Sequence, residues 1–219
     1  MTTIIARLLK LDTPTVSDAL DKLGLAGAVF GIAPMTVRRR ICGPALTVKL
    51  GAPMPGLPKR HLGAGAIMSA QGGEIIVVEH RGRTDVSGWG GLLSRGAIAK
   101  QIAGVVIDGA FRDIDEATDL GFPIYGRAAV PVTARGRVAE HAFNEPVTIA
   151  GIAVRPGDIV MADSSGVVFI DHTRGEEIVA VAEQIFAREQ LMTRDIEAGR
   201  PLGDVLGADY EDMLKKDGK

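Results

Sequence analysis

The 219-residue chain has one cysteine, Cys42, so no disulfide framework can form within it. Although 46% of the residues are hydrophobic, no apolar run approaches the roughly 18 residues of a membrane span. Neither charge dominates: 25 Lys+Arg stand against 27 Asp+Glu, a net charge of −2. The basic excess of an electrostatic nucleic-acid binder is missing, and no nucleic-acid partner is expected. The opening residues, MTTIIARLLK, lack the charged n-region and small-residue cleavage site of a signal peptide. A cytoplasmic location is therefore expected. Charged residues make up 24% of the chain, near the globular average, which argues against wholesale disorder. Aromatics are few, with 6 Phe, 2 Tyr and 1 Trp.

Glycine is abundant. The 28 glycines amount to about twice the usual share of roughly 7%. They follow no collagen-like period and sit among Val, Ile, Leu and Ala rather than in linkers. Eleven of them fall between residues 63 and 109. Glycine inside apolar segments costs stability, so this concentration calls for a local reason, such as close approach of backbone to a small ligand.

Patterning gives the element order. Thr13 as N-cap, Pro14 behind it and Val16, Leu20 and Leu23 at helical spacing predict a helix ended by Gly24. Residues 44–50 read as a strand and the proline-rich 51–60 as a loop. A short helix over 61–70 precedes the buried strand 74–79, and 80–88 reads as a polar loop. A helix over 90–103, a strand over 105–108, a turn at Gly109 and a helix over 112–121 come next. Short strands are predicted at 123–126, 146–149, 158–162 and 167–170. The Thr173/Glu176 capping-box spacing then opens a helix running to about Gly199. Alternating helices and strands followed by a strand-rich stretch predict an α/β domain over 1–200 with a mixed central sheet, and a tail over 201–219.

The sharpest chemical signal is VVIDGAFRDIDE (105–116), where a buried strand leads into an Arg-Asp pair at a helix start. Ligands of open α/β sheets bind beyond the carboxyl ends of strands. Arg112 offers a planar fork for a carboxylate. Asp113 offers a hard oxygen for Mg²⁺, which often takes only one or two protein carboxylates and keeps its waters. The alternative is that Asp113 caps the helix, with Glu116 completing a D-x-x-E box, and that Arg112 makes an ordinary surface ion pair. A second signal is DVSGWGGLLS (85–94), whose glycines precede a helical pattern. The amides of Gly91, Leu92 and Leu93 would be free donors for an anion, or the glycines serve a tight turn. His61, His80, His141 and His172 contain no i,i+4 pair, which argues against zinc, and His80 reads as a surface residue. Cys42 reads as a small packed residue.

TPTVSDALDKLG (13–24), CGPALTVKLG (42–51), GGEIIVVE (72–79), GWGGLLS (88–94), GVVIDGAFRD (104–113) and RPGDIVMADSSGVVFI (155–170) occur in this order. Together they resemble the family of the regulator of ribonuclease activity A and the class II 4-hydroxy-4-methyl-2-oxoglutarate aldolases, over roughly residues 13–200. The resemblance implies a layered α/β sandwich with a mixed sheet, of the phosphohistidine-domain-like swivelling type. It also implies homotrimers or hexamers with sites between subunits. For the aldolase branch it implies a lyase of 2-keto or hydroxy dicarboxylic acids that uses Mg²⁺ or Mn²⁺, passes through a pyruvate enolate and decarboxylates oxaloacetate as a side activity. Arg112 would bind the pyruvate carboxylate and stabilise the enolate. Asp113 would hold the metal, and the amides of Leu92 and Leu93 would hold the carboxylate. The aldolase motif also has an acid separated from the Arg-Asp pair by twenty intervening residues. Here that position, counted back from Arg112, is Gly91, and Asp85 and Asp108 are the candidate substitutes. The other branch implies a non-catalytic protein-binding ring.

Overall fold

The computed structural model describes residues 2–57 and 61–207. Helices α1 (Thr2–Leu8) and α2 (Thr13–Leu23) lead through two-residue strands β1 (Ala28–Val29) and β2 (Ala33–Pro34) to the long β3 (Ile41–Gly51). Then α3 (Ala64–Ser69), β4 (Ile75–Ser87), α4 (Gly91–Ala99), β5 (Gly104–Phe111), α5 (Ile114–Asp119) and β6 (Ile124–Gly126) alternate. The strand-rich part holds β7 (Ala128–Ala129), β8 (Ala139–Phe143), β9 (Val147–Ile149), β10 (Ile152–Val154), β11 (Ile159–Asp163) and β12 (Gly166–Ile170). The long α6 (Gly175–Glu197) and the short α7 (Leu202–Val205) follow. Of the tail expected over 201–219, residues 202–205 form α7, and 208–219 lie outside the described residues, as do 58–60 of the expected loop.

The expected mixed sheet is present. Ten strands join, in the order β1-β12-β11-β3-β4-β5-β6-β2, with β7 beside β5 and β8 beside β3. The β3-β4-β5-β6 centre is parallel, and β11 closes onto β3 antiparallel. Strand alternation divides the parallel centre between two cores. Ile76, Val78, Val105 and Ile107 face α3, α4 and α5, whereas Ile75, Val77 and Val106 pack with Val147 and Ile149 of the β9–β10 hairpin. A third core joins α1, α2 and α6 to Ile159, Met161, Val168 and Ile170. Strands buried on both faces read as continuous apolar runs, which is why β4 and β5 were visible in the sequence.

Several boundaries differ from the sequence reading. The N-cap of α2 is Asp12, whose carboxylate accepts from the Thr15 amide. Thr13 instead gives its amide and hydroxyl to buried Asp163, at 2.8 and 2.6 Å, a partner 150 residues away. The Thr173 hydroxyl is spent on Asp171, so the expected capping box does not form and α6 starts at Gly175. Residues 80–87 continue β4 through two register shifts instead of forming a loop, because Arg83 and Ser87 still pair with Gly109 and Ala110. Gly109 makes no turn and lies within β5, close against a side chain from β4: a Cβ there would sit 2.5 Å from the His80 ring.

His80 is consequently a core residue, 2% exposed, rather than the surface residue expected. Its Nε2 donates to the Val86 carbonyl at 2.9 Å, and burial pushes its pKa below the ordinary 6.5. The unfolded chain therefore takes up a proton near pH 6.5 that the folded chain refuses. This contribution is intact above that pH and is lost as pH falls through it. Thermal melts between pH 7 and 5 should accordingly show a steeper loss of Tm for the wild type than for His80→Gln, which has no proton to take up. Parallel pH profiles would refute this.

Candidate functional site

The parallel sheet places the two chemical signals side by side. The Arg112 amide donates to the Trp89 carbonyl at 3.2 Å, and the Gly88 amide donates to the Ala110 carbonyl at 2.9 Å. The segment entering α4 is thus bound along the end of β5. Asp113 follows with φ 62° and ψ 42°, a left-handed conformation that strains most side chains but suits Asp better than most. That turn sends its carboxylate back across the gap. Oδ2 accepts from the Gly91 amide at 2.8 Å and lies 3.4 Å from Arg112 Nε.

The expected cap of α5 does not form. Asp113 occupies the N-cap position of α5 without bonding its amides, and caps the start of α4 instead. Glu116 does not reach back to Asp113. It pairs with Arg95 at 2.6 Å. The glycines leave room for these groups: a Cβ on Gly90 would stand 2.9 Å from Asp113 Oδ2, and one on Gly91 would displace the part-exposed carboxylate of Glu116. The space where a side chain at position 91 would begin is thus filled by the carboxylate of Glu116.

Arg112, Asp113 and the first turn of α4 line one end of a cavity of about 940 Å³. Its other walls include Leu57, His61, Thr133 and Glu140. Of the three free amides at this helix start, the one on Gly91 serves Asp113. Those of Leu92 and Leu93 have no acceptor among the described residues. Helix start and guanidinium are both electropositive, which suits a small carboxylate. Trp89 and Ser94 brace the turn: the indole Nε1 donates to Ser94 Oγ at 3.0 Å, and the Ser94 amide returns to the Gly90 carbonyl at 3.1 Å.

For a divalent cation, Asp113 is a fitting donor. It is a hard oxygen ligand on the cavity wall, fixed through Oδ2, and Oδ1 carries no hydrogen bond among the described residues. A second set of donors, Asp158, Asp171 and His172, has ligand atoms within 4.8 Å of one another. Those atoms already bind the local chain. Asp158 accepts from the Arg155 amide and faces His172 Nδ1 at 2.9 Å, while Asp171 accepts from Thr173. The group is outside the cavity and works as a cap for the turns flanking β11 and β12.

The two candidate substitutes for an acid at position 91 lie elsewhere. Asp85 is exposed and held by two hydrogen bonds from Arg83, which keep its carboxyl below the usual range, and it is not on the cavity wall. Asp108 is buried against Arg127 and the Ala150 amide. Cys42 is buried as expected, its thiol pushed up to about 12 by burial. The residue that sequence reasoning missed is Glu140, 2% exposed on the cavity wall, whose Oε2 accepts from the Gly63 amide at 2.7 Å.

Among the described residues no helix is long and apolar enough to cross a membrane. The profile of the RraA-like family, described as aldolase/RraA, matches residues 13–169, well over half of the chain. Protein DlpA of Legionella pneumophila is 29% identical over 208 residues, 92% of this chain, yet this chain spans only 33% of DlpA. A protein of Halalkalibacterium halodurans provisionally named 4-hydroxy-4-methyl-2-oxoglutarate aldolase is 30% identical over 188 residues, 85% of each chain. Among solved structures, an uncharacterized protein from Pseudomonas syringae superposes with a TM-score of 0.86 at 30% identity, covering 94% of this chain and 98% of that one. Streptomyces coelicolor RraAS2, described as an unusual member of the RNase ES inhibitor RraA family, superposes with a TM-score of 0.78 at 25% identity, covering 91% and 98%. By fold, by sequence profile and by relatives of matching length, the chain belongs to the RraA-like family of aldolase and RraA proteins.

Proposed function

We propose that the cavity is the active site of a divalent-metal-dependent lyase. It would cleave a 4-hydroxy-2-oxo acid, such as 4-hydroxy-4-methyl-2-oxoglutarate, to pyruvate and a second carbonyl compound, and would decarboxylate oxaloacetate as a side activity. The observation that carries this reading is the meeting of Arg112, Asp113 and the free amides of Leu92 and Leu93 at one end of the cavity. Relatives named for this aldolase activity support the substrate class.

The substrate carboxylate lies against the amides of Leu92 and Leu93. Breaking the bond between C3 and C4 places negative charge on the 2-oxo oxygen, and Arg112 neutralises that charge as it develops. A donor set fixed in advance stabilises the enolate more than the uncharged ketone, which lowers the barrier. Asp113 is the residue assigned to hold Mg²⁺ or Mn²⁺, which when bound supplies Lewis-acid polarisation of the same oxo group. No Schiff-base lysine is required. Leu92, 81% exposed beside the cavity, is apolar surface that a homotrimer or hexamer with sites between subunits would cover.

The deciding measurement is release of pyruvate, followed by a coupled assay with 4-hydroxy-4-methyl-2-oxoglutarate and with oxaloacetate. Turnover should require Mg²⁺ or Mn²⁺ and stop on adding EDTA. Full activity in EDTA would remove the metal from the mechanism. No pyruvate from either acid with either metal would overturn the lyase and favour the protein-binding ring.

A further inference from the structure

Retro-aldol cleavage needs a base for the C4 hydroxyl, and none of the groups assigned above is one. Arg112 and the amides are donors, and Asp113 is committed to the Gly91 amide and to the cation. Position 91 is glycine, and Asp85 is off the cavity wall. Among the described residues, the carboxylates lining the cavity are Asp113 and Glu140.

Glu140 reaches that wall through a β-bulge. Strand β8 pairs antiparallel with β3, matching Ala142 to Lys49 and then Glu140 to Leu50, so His141 is the extra residue. Regular pairing would oppose His141 to Leu50 and turn Glu140 to the other face. The bulge brings Glu140 onto the face of Leu50, which belongs to the same core as Trp89. The extra ring is accommodated at Gly51, where a Cβ would meet His141 Nε2 at 2.5 Å. Bulges re-aim side chains in this way beside active sites. The re-aimed carboxylate is 2% exposed and pinned through Oε2 by the Gly63 amide. Burying a carboxyl group is costly, and here the cost falls on a side chain of the cavity wall.

We propose that Glu140 is the catalytic base of the aldol reaction, an inference that rests on the lyase reading above. Its carboxylate takes the proton of the C4 hydroxyl. The C4–O bond becomes a carbonyl, the C3–C4 bond breaks, and its electron pair forms the C2–C3 double bond of the enolate. The same proton returns from Glu140 to C3, giving the methyl group of pyruvate and restoring the carboxylate. No oxidant, reductant or water is consumed. Oxaloacetate has no C4 hydroxyl: its C3–C4 bond breaks to release CO₂, and solvent protonates C3. Decarboxylation therefore proceeds without this base.

The test is Glu140→Gln, which keeps the size of the side chain and an oxygen for the Gly63 amide, measured on both substrates and for oxalate binding by calorimetry. Cleavage of 4-hydroxy-4-methyl-2-oxoglutarate should fall about 10²–10⁴-fold, with oxaloacetate decarboxylation and oxalate affinity within about threefold of wild type. Glu140→Asp, which keeps a carboxylate, should recover part of the cleavage. Equal losses on both substrates, with weakened oxalate binding, would make Glu140 structural and overturn the proposal. Unchanged cleavage would overturn it too. A wild type inactive on both acids would instead fail the lyase reading itself.

Discussion

Asp113→Ala is expected to lower metal-dependent pyruvate release by about 10³-fold, the upper end for loss of one preorganised electrostatic group. The residual rate should no longer respond to added Mg²⁺ or Mn²⁺. Two functions are lost together. The cation loses its assigned oxygen ligand, and the Gly91 amide loses the acceptor 2.8 Å away that fixes the first turn of α4. Alanine at φ 62° also carries a left-handed strain of roughly 1–2 kcal/mol, so a fall in Tm accompanies the kinetic loss.

Asp113→Asn separates these effects. Asparagine tolerates the left-handed region, and its side-chain oxygen still accepts from the Gly91 amide, but the charge is gone. Its Tm should stay close to wild type while the response to metal disappears. Equal metal titration curves for wild type and Asp113→Asn would take the cation away from this residue.

The site was legible in the sequence where its residues are adjacent along the chain. Arg112 and Asp113 end a buried strand, and glycines mark the start of α4, so both halves could be found from local pattern alone. Their meeting could not, because it depends on the Arg112 amide reaching the Trp89 carbonyl and on the left-handed turn at Asp113. Glu140 gave no local signal. AEHAF alternates weakly and has no β-branched residue, and its facing depends on pairing with β3, ninety residues earlier in register. Long-range partners also explain the misplaced caps: Thr13 looks like an N-cap until Asp163 is beside it. His80 looked exposed because a polar stretch follows it, whereas Gly109, twenty-nine residues later, makes its burial possible. Part of the glycine surplus has local packing causes. At 90 and 91 it keeps side chains away from the carboxylates of Asp113 and Glu116, and at 109 it admits the ring of His80.

Arg112→Ala should reduce kcat/KM by about 10²–10³-fold with little change in Tm. The fold has small need of this side chain. It is 41% exposed and its ion pair with Asp113 spans 3.4 Å, so solvent screens most of that contact. The backbone bond to Trp89 does not depend on the side chain. The loss should fall mainly on kcat. In the ground state the 2-oxo group is neutral, and the substrate carboxylate retains the amides of Leu92 and Leu93. The guanidinium is needed chiefly when the oxo oxygen turns negative. Because oxaloacetate decarboxylation passes through the same enolate, Arg112→Ala should damage both reactions to a similar degree, whereas the Glu140→Gln loss should be confined to cleavage. Arg112→Lys restores the positive charge without the planar fork, so its rates should lie between those of alanine and arginine on both substrates. A variant with unchanged kcat and a raised KM would reduce Arg112 to a ground-state binding residue, leaving the enolate to the helix amides and the cation.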